Sequence, residues 1–292
     1  MDFTQILQAV VNGLLLGGVY GGLAVGLSLI LGVLRIVNLA HSAVLIFAAL
    51  IYWQFVNVLG LDPLLMIIPV FLIAYVFGLG LHRGVAQYLA KEDDSTVLLA
   101  FFAVMVIIEA IAIMIWTTDT RTLNLGYLSG VLRIGELGIP IARLVAAAIT
   151  VVVLVALHLF LSRTLTGSAI RGMAENRDVA EMVGIDVTRL ARRVFALGIA
   201  FAAFGGTVIA LVSSFSPQEH LRWLAWAFLI VIIGGLGSTL RTLIAGLAVG
   251  VFESIVGLLL PFQYTYLALY ALLAVALLVR SEGLGSAKQR MV

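Results

Sequence analysis

The stretch Arg35-Ile-Val-Asn38-Leu-Ala-His41-Ser42 sets polar side chains beside long apolar runs. At helical spacing Asn38 and His41 fall one turn apart, with Arg35 one turn earlier, so the three share a stripe. Polar groups in that setting are costly unless they face protein, water or headgroups. The stripe is therefore either a helix end satisfied at an interface or, with Ser42, the lining of a solute path. One histidine without a nearby carboxylate offers too few ligands for a metal. Two carboxylates, Glu109 and Glu253, fall well inside apolar runs. A charge at a bilayer centre costs roughly 2.5–3.5 kcal/mol on insertion scales, so each must face the bundle interior and find a partner, or take up a proton. As a proton relay they would suggest a secondary transporter, but the sequence places no third carboxylate and no basic partner at mid-span. His158, near the end of its run, reads as a side chain that snorkels to the interface.

Ser162–Arg193 is the one hydrophilic stretch of real length. Its punctuation predicts two short helices. Ser168 can cap a helix ending near Asn176; Asp178, with Glu181 three residues on, resembles a capping box, and Gly184 can close the second helix. Helices of about two turns are marginal in water and persist only when packed on something. Met173, Val179, Met182 and Val183 give them apolar surface. The stretch is either a solvated loop at the membrane surface or a docking surface, and docking is the preferred reading.

The elements that position these residues follow from composition. Of 292 residues, 63% are apolar and 11% are charged, and the mean hydropathy is +1.18. One water-soluble core cannot hide that much apolar side chain. A net charge of +2 with no basic, aromatic-rich stripe excludes a nucleic-acid binder, and zero cysteines exclude disulfides and thiolate sites. The fold class is all-α, a polytopic helical membrane protein. A span needs about 20 mostly apolar residues. Nine crossings are read at Ile6–Leu34, Ser42–Leu59, Leu64–Leu81, Val97–Trp116, Ile141–Leu161, Val194–Ser213, Leu224–Ile233, Leu243–Leu260 and Thr265–Val279. The first is long and the seventh is short, so either is a candidate broken or re-entrant helix, and eight full spans is the alternative. The runs are continuous rather than alternating, which argues against a β-barrel.

No Lys or Arg precedes the first run, so a cleavable signal is not expected. Placing Arg163–Arg193 in the cytoplasm puts 13 of the 17 Lys and Arg residues inside, the positive-inside bias. The N-terminus then lies outside and the C-terminal Arg280, Lys288 and Arg290 inside. Trp53, Trp116, Trp223 and Trp226 each fall at an outer span end, as interface anchors would. The chain reads as one domain, 1–292, with an outer connection at Thr117–Pro140 and the inner one above. Gly13, Gly17 and Gly21 are spaced by four, as are Gly18, Gly22 and Gly26, so two adjacent strips of the first span lack side chains. They suit close helix packing, or else a pore wall; Gly246 and Gly250 repeat the motif. Gly32-Val-Leu-Arg35 also echoes Gly237-Ser-Thr-Leu-Arg241. Paired interruptions of this kind mark midplane sites in some transporters, and chance in a Gly-rich chain gives the same pattern. No phosphate-binding Gly-x-x-x-x-Gly-Lys, nucleophile elbow, His-Glu-x-x-His or dinucleotide fingerprint occurs, so the sequence gives no positive sign of an enzyme.

Four segments together resemble the permease subunit of bacterial branched-chain amino acid ABC importers, over roughly residues 5–280. They are Asn12-Gly13-Leu through Gly26-Leu; Gly32-Val-Leu-Arg35-Ile-Val-Asn38-Leu-Ala-His41; Arg163-Thr-x-x-Gly167-x-Ala-x-Arg171 through Gly184-Ile185; and Ile233-Gly234-Gly-Leu-Gly237-Ser with Gly246, Gly250 and Glu253. Ser42-Ala43 stands where the family commonly has Gly and an acidic residue, and Arg177 where it often has proline. The resemblance implies an inner-membrane permease that pairs with a second, often paralogous permease. It also implies two cytoplasmic ATPase subunits that carry ATP and Mg, none of it bound by this chain, and an extracytoplasmic solute-binding protein. It assigns ATPase coupling to Arg171, Ala174, Glu175, Asn176, Asp178 and Gly184. The path residues are then Asn38, His41, Ser42, Glu109, Gly234, Gly235, Gly237 and Glu253. Related permeases carry urea, short amides, other amino acids or sugars. A stand-alone channel is the rival reading, and a proton-coupled carrier the next.

Overall fold

The computed structural model describes residues 2–89 and 92–285. Long apolar runs without interior polar punctuation become helices, because a helix satisfies its own backbone where no water is at hand. α1 (Phe3–Leu34) is one unbroken helix of 32 residues, about 48 Å at the usual rise, so the first span is neither broken nor re-entrant. It stops at Arg35, which adopts φ 57 and donates its N–H to Leu31 O at 3.2 Å. A short irregular link leads into α2 (Ala40–Trp53), extended by a π-helical turn at Gln54–Val58. α3 (Pro63–Leu81) starts under a firm signal. Pro63 opens it, and the Asp62 carboxylate accepts from the Leu64 and Leu65 N–H groups at 2.9 and 3.0 Å. A second π turn, His82–Ala86, and the single turn α4 (Gln87–Leu89) complete that rod. α5 (Asp94–Trp116) is capped in the same way by Asp93.

The outer connection is not all-helical. It holds a hairpin of β1 (Val131–Ile134) and β2 (Leu137–Pro140), with Val131 opposite Pro140 and Ile134 opposite Leu137. Then come α6 (Ile141–Arg163), the short pair α7 (Leu165–Glu175) and α8 (Arg177–Met182), and α9 (Val187–Val212). α10 (His220–Gly234), α11 (Thr239–Leu259) and α12 (Phe262–Gly285) close the fold. Seven helices are long and apolar enough to cross a bilayer among the described residues. α10, at 15 residues, reaches only about 22 Å, short of a hydrocarbon core of about 30 Å.

Burial sorts the helices. The apolar window of α9 is 94% buried, against 22% for α3 and for α5. α9 and α1 are thus the inner rods. The outer faces of α3, α5 and α6 carry bare apolar side chains such as Val76, Leu99, Met114 and Val152. Exposed apolar surface on that scale is sustained by lipid, not water.

α1 and α11 run antiparallel along a seam of glycines. A Cβ on Gly13 would lie 2.6 Å from Val251 Cα, one on Gly17 2.5 Å from Leu247 Cα, and one on Gly250 2.4 Å from Gly13 O. Gly21 faces Leu243 of the same helix. The second strip faces elsewhere: Gly18 and Gly22 meet Ala147 and Thr150 of α6, and Gly26 meets Gly198 O of α9. Backbones approach closely here because no side chain intervenes.

Candidate functional site

The unit of α7 and α8 is built differently from the sequence-based expectation. Its first cap is Thr164, whose hydroxyl accepts from Gly167 N at 3.0 Å; Ser168 sits inside α7, 3.0 Å from Arg171 Nη2. The second cap is Asn176 rather than Asp178. Asn176 ends α7 in extended backbone, and its side chain then accepts from Val179 N at 3.1 Å to begin α8. One residue therefore serves both helices, and Asp178 falls in the first turn, where its charge suits the dipole. Gly184, at φ 86, follows α8 in the left-handed region that favours glycine.

Ile170 and Met173 of α7 and Ala180 of α8 pack with Leu29 and Val33 of α1 and Leu190 and Val194 of α9 in a small separate core. That burial anchors two helices too short to stand alone. Their far side is bare: Val179, Met182 and Val183 are 51%, 82% and 71% exposed. Glu175, Asn176, Asp178 and Gly184 are exposed with them. Arg177 lies 4.0 Å from Glu181, and Arg189 3.1 Å from Asp186.

Arg171, Ala174 and Glu175 turn to a cavity of about 660 Å³ between α7, the C-terminal end of α1 and the start of α11. His158, Ser162, Gly237 and Arg241 line it too. Gly237 belongs to the turn Gly235–Ser238, in which Gly235 and Gly237 take φ 83 and 72. This turn closes on α1: Gly237 N donates to Ser28 O at 3.2 Å, and a Cβ on Gly32 would lie 2.3 Å from Gly237. Thr242 Oγ1 donates to Ser238 O at 2.9 Å and lies 3.1 Å from Ser28 Oγ. Gly234 is buried against Arg241 O and Thr242. The two echoing segments, Gly32–Arg35 and Gly237–Arg241, thus meet in space.

The polar stripe at Arg35 does not form. The left-handed cap at Arg35 ends the helix, and residues 35–38 are irregular. Arg35 is exposed. Asn38 and His41 stay together, with His41 N donating to Asn38 O at 3.3 Å. Both are wholly buried. His41 Nε2 lies 3.1 Å from Leu23 O, and the imidazole fills the notch left by Gly26. The Asn38 amide and His41 Nδ1 are without hydrogen-bond partners among the described residues. Ser42 is buried, 3.5 Å from Leu39 O.

The carboxylates do find partners that the sequence did not disclose. Glu109 lies 3.8 Å from His220 Nε2 at the start of α10. Glu253 accepts from Trp226 Nε1 at 3.4 Å, and the Tyr20 hydroxyl interacts with it as well. Arg222 pairs with Glu219 at 2.9 Å and sits 4.5 Å over the Trp223 ring. Trp223 and Trp226 are therefore packed inside the bundle, 5% and 2% exposed, and are not interface anchors. Glu109 and Glu253 thus take their partners, His220 and Trp226, from the same helix α10.

Trp53 and Trp116 do meet the outer connection. Trp53 Nε1 donates to Thr122 O at 3.0 Å, Trp116 Nε1 to Gln54 Oε1 at 3.1 Å, and Arg121 lies 4.7 Å over the Trp53 ring. The Tyr127 hydroxyl donates to Asp62 at 2.9 Å. The Leu65 N–H, then Tyr127 and the Leu64 N–H, hold the Asp62 carboxyl below its ordinary value. Gln8 exchanges two 2.9 Å hydrogen bonds with the Gly138 backbone and ties the hairpin to α1. Beside it a second cavity, about 590 Å³, is lined by Gln5, Gln8, Asn12, Glu136 and Ser254. Among the described residues no group of three or more His, Asp or Glu could hold a metal ion.

Comparison with known proteins fits this architecture. The family model described as the branched-chain amino acid transport system permease component matches residues 9–278. The chain is 24% identical to the high-affinity branched-chain amino acid transport system permease protein LivH of Salmonella typhimurium, over 97% of this chain and 96% of that one. It is 25% identical to BraD, the permease protein of the same kind of system in Pseudomonas aeruginosa, over 97% and 96%. The permease protein LivM of Salmonella typhimurium is 29% identical over 152 residues, half of this chain and 35% of that one. With a match that runs from its first helix into its last, this multi-pass membrane protein belongs to the family of branched-chain amino acid transport permeases.

Proposed function

We propose that the chain forms half of the solute path of an ATP-binding-cassette importer in a bacterial inner membrane, carrying branched-chain or related amino acids. A paralogous permease supplies the other half; the chain resembles both LivH and, over half its length, LivM. Two cytoplasmic ATPase subunits hold ATP and Mg, and an extracytoplasmic binding protein brings solute to the outer mouth. The N-terminus faces outward and α7–α8 face the cytoplasm, which accords with the distribution of Lys and Arg. Lys288 and Arg290 lie outside the described residues.

One observation carries this reading: α7–α8 is a handle packed on α1 and α9, and among the described residues its far face is left bare. Ile170, Met173 and Ala180 fasten it to α1 and α9, while Val179, Met182 and Val183 stay bare in a chain without a nucleotide-binding loop of its own. Motion imposed on that face passes directly into α1, and α1 is locked to α11 along the glycine seam. Arg171, Ala174, Glu175, Asn176, Asp178 and Gly184 act in that transmission. Asn38, His41, Ser42, Glu109, Glu253 and the Gly234–Gly237 turn are assigned to the path and to its gating elements.

Affinity purification of the tagged chain tests it. The expected companions are a P-loop protein and a paralogous membrane chain; a symmetric homo-oligomer with neither would refute the importer reading and favour a channel. In the reconstituted complex, Gly184→Ala and Glu175→Gln should each lower solute moved per ATP hydrolysed. The methyl at Gly184 meets nothing within 4 Å, so its effect is torsional, about 1–2 kcal/mol for a left-handed residue. Uptake unchanged in both variants would remove the coupling assignment.

A further inference from the structure

Three local irregularities converge on one place, away from the glycine seam and bordered by the handle at Arg177. Arg35 holds the left-handed backbone that residues other than glycine seldom adopt. The rod of α3 ends in a π-helical turn at His82–Ala86, a rare form that gathers at functional sites. His82, 6% exposed, has no hydrogen-bond partner at Nδ1 among the described residues. Arg35, His82 and Ala86 all line a single cavity of about 600 Å³, which also takes in Arg177 of α8 and Glu92 and Asp94 at the start of α5. Leu34, Ile36 and Val97 supply an apolar wall.

We propose that this cavity binds a small zwitterion with an apolar portion and that its occupancy damps coupling. Arg35 and Arg177 take the anionic group, since guanidinium forks match carboxylate or phosphate. Glu92 and Asp94 take the ammonium, Leu34, Ile36 and Val97 the apolar portion, and the His82 ring forms part of the wall. Arg177 opens α8, so a ligand held by it is linked to the docking face directly. The inference rests on the importer reading, which places this cavity on the cytoplasmic side. Two sources have the right chemistry there: the amino acid delivered by the importer, and the headgroup of a phospholipid such as phosphatidylethanolamine.

The complete importer is reconstituted in vesicles of phosphatidylethanolamine and phosphatidylglycerol, with ATP inside and saturating loaded binding protein outside. Initial uptake is measured with and without millimolar L-leucine inside, and again in vesicles of phosphatidylglycerol alone. Arg35→Gln, Glu92→Gln and His82→Phe are compared with wild type, each as a ratio to its own uninhibited rate. An amino-acid ligand predicts that internal leucine slows wild type about fivefold or more and the variants far less. A lipid ligand predicts that removing phosphatidylethanolamine speeds wild type by a similar factor and leaves the variants unchanged. A wild-type rate indifferent to both, or variants that respond as wild type does, overturns the proposal. Should the variants not assemble, calorimetry of L-leucine with the wild-type complex, free of binding protein, decides together with the lipid arm: no heat and no lipid dependence overturns it. Wild type that takes up nothing with ATP present refutes the importer reading instead.

Discussion

Gly250→Ala puts one methyl into the seam between α1 and α11. Its carbon would lie 2.4 Å from both Gly13 O and Gly17 N and 2.5 Å from Gly17 Cα. Ordinary contact begins near 3.4 Å, so the two helices must part by about 1 Å. All three obstructing atoms are backbone, and no rotamer change relieves them. Overpacking costs typically 1–3 kcal/mol, and this geometry places the substitution at the top of that range, about 3 kcal/mol. At about 2–4 °C per kcal/mol for a chain of this size, the melting temperature in detergent should fall by roughly 6–12 °C. Two controls fix the cause. Gly18→Ala meets only the Ala147 methyl at 3.2 Å and should cost less than about 1 kcal/mol. Gly80→Ala meets nothing within 4 Å and should gain about 0.5–1 kcal/mol from helix entropy. The double variant Gly17→Ala/Gly250→Ala should fall short of the summed losses, because one separation of the helices relieves both clashes. Fluorescence-detected size-exclusion thermostability gives the order. If Gly250→Ala melts with wild type, or Gly80→Ala loses as much as Gly250→Ala, close backbone approach is not what holds these helices together.

Tyr52→Phe removes a buried 2.8 Å hydrogen bond to Pro63 O and should cost about 0.5–1.5 kcal/mol, read from the same melting assay. Asn176→Ala deletes the cap of α8, about 1 kcal/mol; amide exchange of Arg177–Met182 should quicken about fivefold while α9 is unaffected. Glu109→Gln disturbs only a 3.8 Å contact of a carboxylate that is 26% exposed, so stability should change by no more than about 0.5 kcal/mol. Uptake in that variant separates the readings: a large loss with stability intact favours a proton role, and unchanged uptake leaves Glu109 a structural group.

Much of the fold is legible because the bilayer imposes it. Once every backbone group must be satisfied internally, length and apolarity leave few solutions, and all nine predicted runs correspond to helices. The ends were misplaced for a local reason. Composition sees where polarity begins, while helices continue until a cap intervenes: α9 starts at Val187 under Asp186, seven residues before its apolar run at Val194. The hairpin at Val131–Pro140 leaves no mark in the sequence pattern because four residues per strand carry little periodic signal. At Thr164 and Asn176 the capping grammar was sound and the register was wrong. Ser168 and Asp178 are equally good caps by type, and only the packing of Ile170, Met173 and Ala180 against α1 and α9 selects between them.

The polar sites were harder to read for a related reason, since spacing alone assumes that a helix continues. Arg35, Asn38 and His41 form a stripe only if α1 runs through them, and no residue type announced the left-handed turn at Arg35, a position where glycine is the usual signal. With the stripe broken, the three residues separate by environment. Arg35 goes to the cavity shared with Arg177, while Asn38 and His41 stay in the core against α1. Partners remote in sequence leave no mark in spacing: Glu109 meets His220 and Glu253 meets Trp226 only once α10 is packed against the other helices. The end of α10 leaves its terminal peptide groups to the loop that follows. Here Gly235 and Gly237 supply that loop, and Ser28 of α1 accepts one of its amides. The same turn borders the cavity that Arg171 and Glu175 enter from the handle. Arg171 and Glu175 of α7 and Gly237 and Ser238 of the turn thus face one space, a juxtaposition that spacing in the sequence does not reveal.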